Sequence, residues 1–180
     1  MLTKLQQDKL LKISRNTLEL YFKTNKLPKF SINDKDLNQK SAVFVTLHKS
    51  GQLRGCIGEF DPSDPLSELI KKKTLDAALH DPRFMPLSKE ELSQIKIEIS
   101  VLSEFKKITS WQEINPLADG VFLKLGNKGA TFLPQVFSQT GWGVEEFLSH
   151  LADKAGLPKD SYKDPRVELN TYTACVFSEN

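Results

Sequence analysis

The sequence lacks most of the features that announce a function. Its 180 residues include two cysteines, Cys56 and Cys175, too few for a disulfide scaffold or a sulfur-rich zinc site. Both read as free thiols in a reducing compartment. Neither sign of charge dominates: 25 basic residues face 23 acidic ones, for a net charge of +2. That balance gives no argument for nucleic acid or an anionic membrane as partner. No apolar run approaches the roughly 20 residues of a membrane helix, and Met1–Asp8 has no secretory pattern, so a cytoplasmic location is expected. The histidines His48, His80 and His150 fall into no metal-ligand spacing, and no Cys-x-x-Cys occurs, so neither a metal nor a cofactor is expected. Gly126-x-x-Gly129 is not followed by the Lys-Ser or Lys-Thr of a phosphate loop, and Gly-x-Ser-x-Gly is absent.

What is present is the pattern of a small mixed domain. A hydrophobic fraction of 39% and a charged fraction of 27% fit one globular domain with its own core. Residues 8–25 predict a helix, with Leu11, Ser14, Leu18 and Phe22 on one stripe that Leu10, Ile13 and Tyr21 widen. Residues 26–40 predict a connecting loop. Ala42–Leu47 and Leu53–Phe60 predict two strands joined at Ser50-Gly51. A helix from Pro65 to about Leu79 follows, N-capped by Asp64 and burying Leu66, Leu69, Ile70 and Ala77. Pro82 bars its continuation. Ile95–Val101 alternates as a half-buried strand. Gly120–Lys124 and Ala130–Leu133 predict a second hairpin. Val144–Ala155 predicts a helix closed by Gly156, and Val167–Phe177 one long strand. Hairpins with helices that do not alternate strictly with strands indicate an α+β fold with antiparallel sheets.

The segment that demands explanation is Leu53-Arg54-Gly55-Cys56-Ile57-Gly58. Glycine weakens a strand, and is used where backbone or ligand comes close. With Ser50-Gly51 as a two-residue turn, Lys49 opposes Gln52 and Val45 opposes Cys56. Arg54 and Cys56 then share a face with Val43, Val45 and Leu47. A cation two positions from a thiol lowers its pKa, which makes Cys56 a candidate thiolate nucleophile and Arg54 its charge partner or an anion anchor. The competing reading is a core cysteine, the commoner fate of a strand Cys beside valines.

The hexapeptide resembles the signature of the AMMECR-type (AMME chromosomal region) domain family, whose prokaryotic members resemble component A of AmmeMemoRadiSam systems. Asp81-Pro82-Arg83-Phe84, Ile97–Leu102, Ala130–Val136, Gly141-Trp142 and Lys154–Leu157 are similar to family segments in family order, over roughly residues 40–180. The resemblance implies one α+β domain over residues 1–180, with a larger part formed by both termini and a smaller inserted part. It implies a Memo-type protein and a radical SAM protein as partners, and it carries no defined reaction.

Around the hexapeptide the expected pocket comprises Arg54, Gly55, Cys56 and Gly58, with Asp81, Arg83, Glu98, Thr131 and Gln135 as further walls. Asp81 and Arg83 form either a polar pocket or a plain helix end. Glu98 is an acid–base group or an ion-pair partner for Arg54 or Arg83. His80 is a general base near Cys56 or an ordinary helix-end histidine. Thr131, Pro134 and Gln135 mark a strand-to-helix junction where N–H groups either hold an anion or simply start a helix. Lys71-Lys72-Lys73 reads as a solvated helix face, and Trp111 and Trp142 as packing anchors. Three functions follow: an enzyme or enzyme subunit acting on a small anionic or nucleotide-like substrate, a non-catalytic binding or adaptor module, and an RNA-modification-associated protein.

Overall fold

The computed structural model describes residues 2–29 and 35–179, and its chain divides into two compact units. One combines residues 1–102 with 175–180; the other is residues 103–174. The predicted loop over 26–40 falls partly outside the described residues.

In the first unit, helix α1 (Lys4–Thr24) begins four residues before the sequence suggests. The cause is local: Thr3 and Gln6 form a reciprocal capping box, side chain to backbone both ways. Its inward side buries Leu10, Leu11, Ile13, Ser14, Thr17 and Leu18. Strands β1 (Val43–Lys49) and β2 (Gln52–Glu59) form the expected hairpin. Ser50 and Gly51 both have positive φ, 52° and 78°, the type I′ turn whose twist suits two antiparallel strands.

Helix α2 (Leu66–Leu79) buries the predicted apolar residues, but its N-cap is Pro65 and lacks a side-chain cap bond. Asp64 instead accepts a hydrogen bond from Lys72 at 2.7 Å. The lysine run is also not one solvated face. Lys71 is buried, with its Nζ on Glu68, and Lys73 bridges Glu59 and Asp76. β3 (Ile95–Leu102) follows with the alternation the sequence predicts, Ile95, Ile97, Ile99 and Val101 all buried. β8 (Ala174–Ser178) completes a sheet of order β2-β1-β3-β8. Val43, Val45 and Leu47 join those β3 residues under α1 and α2 in a continuous core. Ser14 and Thr74 bond across the helix pair at 2.7 Å.

The second unit holds β4 (Lys106–Ile108), β5 (Gly120–Leu125), β6 (Lys128–Phe132), α3 (Gln135–Thr140), α4 (Val144–Lys154) and β7 (Glu168–Tyr172). Its sheet runs β4-β7-β5-β6, antiparallel throughout. Phe147, Leu148, Leu151 and Ala152 of α4 are buried in its core. The single long strand predicted for Val167–Phe177 is two strands, β7 and β8, in two different sheets. At the break, Thr173 bonds Ser103 twice, its carbonyl taking the Ser103 N–H and its own N–H going to Ser103 Oγ.

Two glycines of β2 are fixed by packing. A Cβ at Gly55 would run into the backbone carbonyl of Ala77 in the last turn of α2. The three atoms nearest a Cβ at Gly58 would all belong to the ring of Phe44. Backbone cannot yield as a ring can, so Gly55→Ala is expected to cost about 1–3 kcal/mol or more and Gly58→Ala less. Chemical unfolding checks this. Adding Phe44→Leu is expected to restore Gly58→Ala and to leave Gly55→Ala unrescued.

Candidate functional site

The turn register is as expected at its start, with Lys49 opposite Gln52, but it does not persist. The ladder shifts between Leu47 and His48, so that His48 pairs with Leu53 and Leu47 with Gly55. Arg54 is the extra residue of a β-bulge. Because side chains alternate with period two, this offset turns the strand over. Cys56 pairs with Thr46, and Ile57 with Val45. Gly55 and Ile57, not Arg54 and Cys56, share the face of Val43, Val45 and Leu47. The expected shared face of Arg54 and Cys56 with the valines is therefore corrected.

Cys56 lies instead on the polar face. Thr46 stands between Cys56 on one side and Glu98 on the other. The Thr46 hydroxyl donates to Cys56 Sγ at 3.2 Å. Burial pushes the thiol pKa up, against the opposing pull of the Thr46 bond and Arg83. Cys56 is thus a half-buried protonated thiol, and Arg54 is not among the groups that tune it.

Arg54 extends to Glu91, with Nε and Nη2 each 3.0 Å from one carboxylate oxygen, and Lys49 Nζ reaches the same carboxylate at 2.9 Å. This pairing, chiefly the Arg54 fork, pulls Glu91 down to about 2. Glu91 was absent from the sequence candidates. The available signal was Ser88-x-x-Glu91, and Glu91 does accept from the Ser88 N–H in a capping box.

Asp81 and Arg83 clamp the backbone of Cys56. β2 is an edge strand, and at Cys56 its outward groups are satisfied by side chains rather than by another strand. Asp81 Oδ2 accepts the Cys56 N–H at 2.8 Å, and Arg83 Nη2 donates to the Cys56 carbonyl at 3.2 Å. Arg83 grips Asp81 through Nε at 2.9 Å and Nη2 at 2.7 Å. Asp81 is only 4% exposed, and its carboxyl is held down to about 2, first by the Arg83 fork. Such an acid does not exchange protons near neutrality.

Arg54, Gly55, Cys56, Gly58, Asp81, Arg83 and Glu98 all belong to the first unit, while Thr131 and Gln135 belong to the second. Neither arginine pairs with Glu98; they take Glu91 and Asp81. His80 ends α2, exposed, with Nδ1 on Asp76 at 3.2 Å. The Thr131 hydroxyl is buried, donating to the Val121 carbonyl and lying 2.6 Å from the Tyr172 hydroxyl. Gln135 opens α3, which is too short to offer the anion site that its N-terminus suggested. Among the described residues no group of His, Cys, Asp and Glu side chains is placed to hold a metal ion, and no helix is long and apolar enough to cross a membrane.

An α+β domain whose edge strand carries a glycine-framed cysteine, clamped by an Asp-Pro-Arg segment, defines the class. Residues 11–177 match the AMMECR1 family model, and the chain belongs to that family. A protein of Methanothermobacter thermautotrophicus is 37% identical over 95% of this chain and 93% of its own length. One of Nanoarchaeum equitans is 38% identical over 95% of this chain and 99% of its own. The crystal structure of an uncharacterised protein from Pyrococcus horikoshii superimposes with a TM-score of 0.89 at 35% identity, covering 95% of this chain and 90% of that one.

Two outcomes are expected. In a Cys175→Ser background, Cys56 should alkylate with iodoacetamide at pH 7 more slowly than free cysteine; a faster rate would return the nucleophile role to it. Asp81 carries a folded pKa below the ordinary carboxylate value of about 3.9. Its contribution to stability is therefore complete above about pH 4 and fades as pH falls toward 2. Asp81→Asn should lower stability at pH 7 and flatten the loss between about pH 4 and 2, measured by denaturant titration at each pH.

Proposed function

We propose that this AMMECR1-family domain works by binding a protein partner through the surface formed by its hexapeptide and the Asp81–Pro86 loop, rather than by chemistry at Cys56. The observation that carries this reading is the composition of that surface. Met85 is 80% exposed and Leu53 41% exposed. Phe84 lies under two guanidinium groups, Arg54 at 6.0 Å and Arg83 at 5.5 Å from the ring centroid. Arg54 Nη2 also reaches the Pro86 carbonyl at 3.5 Å. Arginine, methionine and aromatic residues are the types enriched where proteins meet. Both arginines are held by carboxylates in the free protein, so the surface is ordered before a partner arrives.

The partners carried over from the family resemblance are Memo-type and radical SAM proteins, and they belong to this reading. The enzyme reading, with a small anionic or nucleotide-like substrate held by Arg54, has less support. Arg54 already holds Glu91 through two nitrogens, and Cys56 keeps its proton.

Calorimetric titration against the purified Memo-type and radical SAM proteins of the same organism tests the proposal. One of them is expected to bind the wild type, and Met85→Asp to weaken that association at least about tenfold, as a hot-spot loss does, with the melting temperature unchanged. Binding by neither protein, or binding indifferent to Met85→Asp, overturns it.

A further inference from the structure

The second unit holds a groove of about 370 Å³ that the reading above does not use. It lies between the Asn115–Asp119 loop, α3 and the Gly141–Trp142 turn. Its lining includes Pro116, Leu117, Gln135, Phe137, Ser138 and Trp142, and no charged residue.

The walls are held in place before anything enters. Trp142 stacks on His150 at 3.9 Å between centroids and 13° between planes. Phe137 stacks on the fully buried Phe147 at 3.7 Å. Leu117 is 95% exposed, yet its loop is tied. The Leu117 N–H goes to Asn115 Oδ1 at 3.0 Å, the Asn115 N–H to Asp119 Oδ2 at 2.8 Å, and the Asp119 N–H to the Asn115 carbonyl at 2.8 Å.

One polar atom in this setting is unsatisfied. Gln135 Oε1 is shielded from solvent and accepts no hydrogen bond among the described residues. A buried acceptor without a donor is a destabilising feature that calls for an explanation. Gln135 lines the groove and the terminal torsion of glutamine is soft, so rotation of the amide is the route by which this oxygen would meet an entering donor. The volume is at the small end of ligand sites. An uncharged lining would leave a phosphate or carboxylate desolvated and unpaired.

From these features we infer that the groove binds a neutral, planar, bicyclic heteroaromatic ring bearing an N–H donor, a purine base being the type, packed against Trp142 with its N–H on Gln135 Oε1. The site is independent of the surface around Met85, since none of its residues lies in the first unit, so either proposal can fail alone.

The sequence has two tryptophans, so Trp111→Phe leaves Trp142 as the sole reporter. Titrating that variant with adenine is expected to quench its fluorescence saturably. Gln135→Leu should weaken adenine about tenfold, the loss of one buried hydrogen bond. It should leave 9-methylpurine, which has no N–H, unchanged. Leu117→Ser, on an exposed loop, should weaken both compounds and serves if Gln135→Leu misfolds. Absence of saturable quenching overturns the inference, as does adenine binding indifferent to both substitutions.

Discussion

The ladder between β1 and β2 carries one extra residue, Arg54, and the arrangement of the hexapeptide depends on that insertion. Without it, Cys56 would face the valine core and Gly55 the polar side. With it, Gly55 comes under α2, where only a hydrogen fits beneath the Ala77 carbonyl, and Cys56 joins Thr46 and Glu98 on the opposite face. A one-residue slip in a sheet inverts every side chain beyond it. The glycine and the bulge are therefore two halves of one constraint, since the helix can approach only where the inverted strand presents Gly55.

The same strand lies at a sheet edge, and edges invite unwanted pairing. Here the exposed N–H and C=O of Cys56 are occupied by Asp81 and Arg83. The Asp-Pro-Arg segment pairs Asp81 with Arg83. It is a side-chain substitute for a neighbouring strand, and its charges are spent on each other and on the backbone. Arg54, the bulge residue, and Glu91 likewise spend their charges on each other. Four charged groups are thus paired two by two, Arg54 with Glu91 and Arg83 with Asp81.

The elements with strong periodicity were legible in the residues alone. Ile95–Val101 alternates and is buried as it alternates; the apolar residues of α2 and α4 are the ones that pack. The family resemblance of the hexapeptide and of Asp81-Pro82-Arg83-Phe84 was legible too. What escaped was non-local. The bulge goes together with the close approach of α2 to Gly55, which no property of Leu53–Gly58 encodes by itself. Glu91 is 37 residues from Arg54, and only its capping role with Ser88 is written locally. The break at Thr173 hides inside a continuous β-favouring run, because each half is a good strand and only their different sheets separate them.

The placement of β8 bears on the order in which the molecule can assemble. The first sheet takes its last strand from residues 174–178, after the whole second unit has been made. Residues 103–174 are continuous and close on themselves, whereas the sheet that carries the hexapeptide stays one strand short until Glu179 can donate its N–H to the Ile97 carbonyl and meet Arg15. On a ribosome making about 5–20 residues per second, that leaves several seconds in which β3 is an unprotected edge. The inserted unit has all its strands before the sheet bearing Cys56 receives its last one.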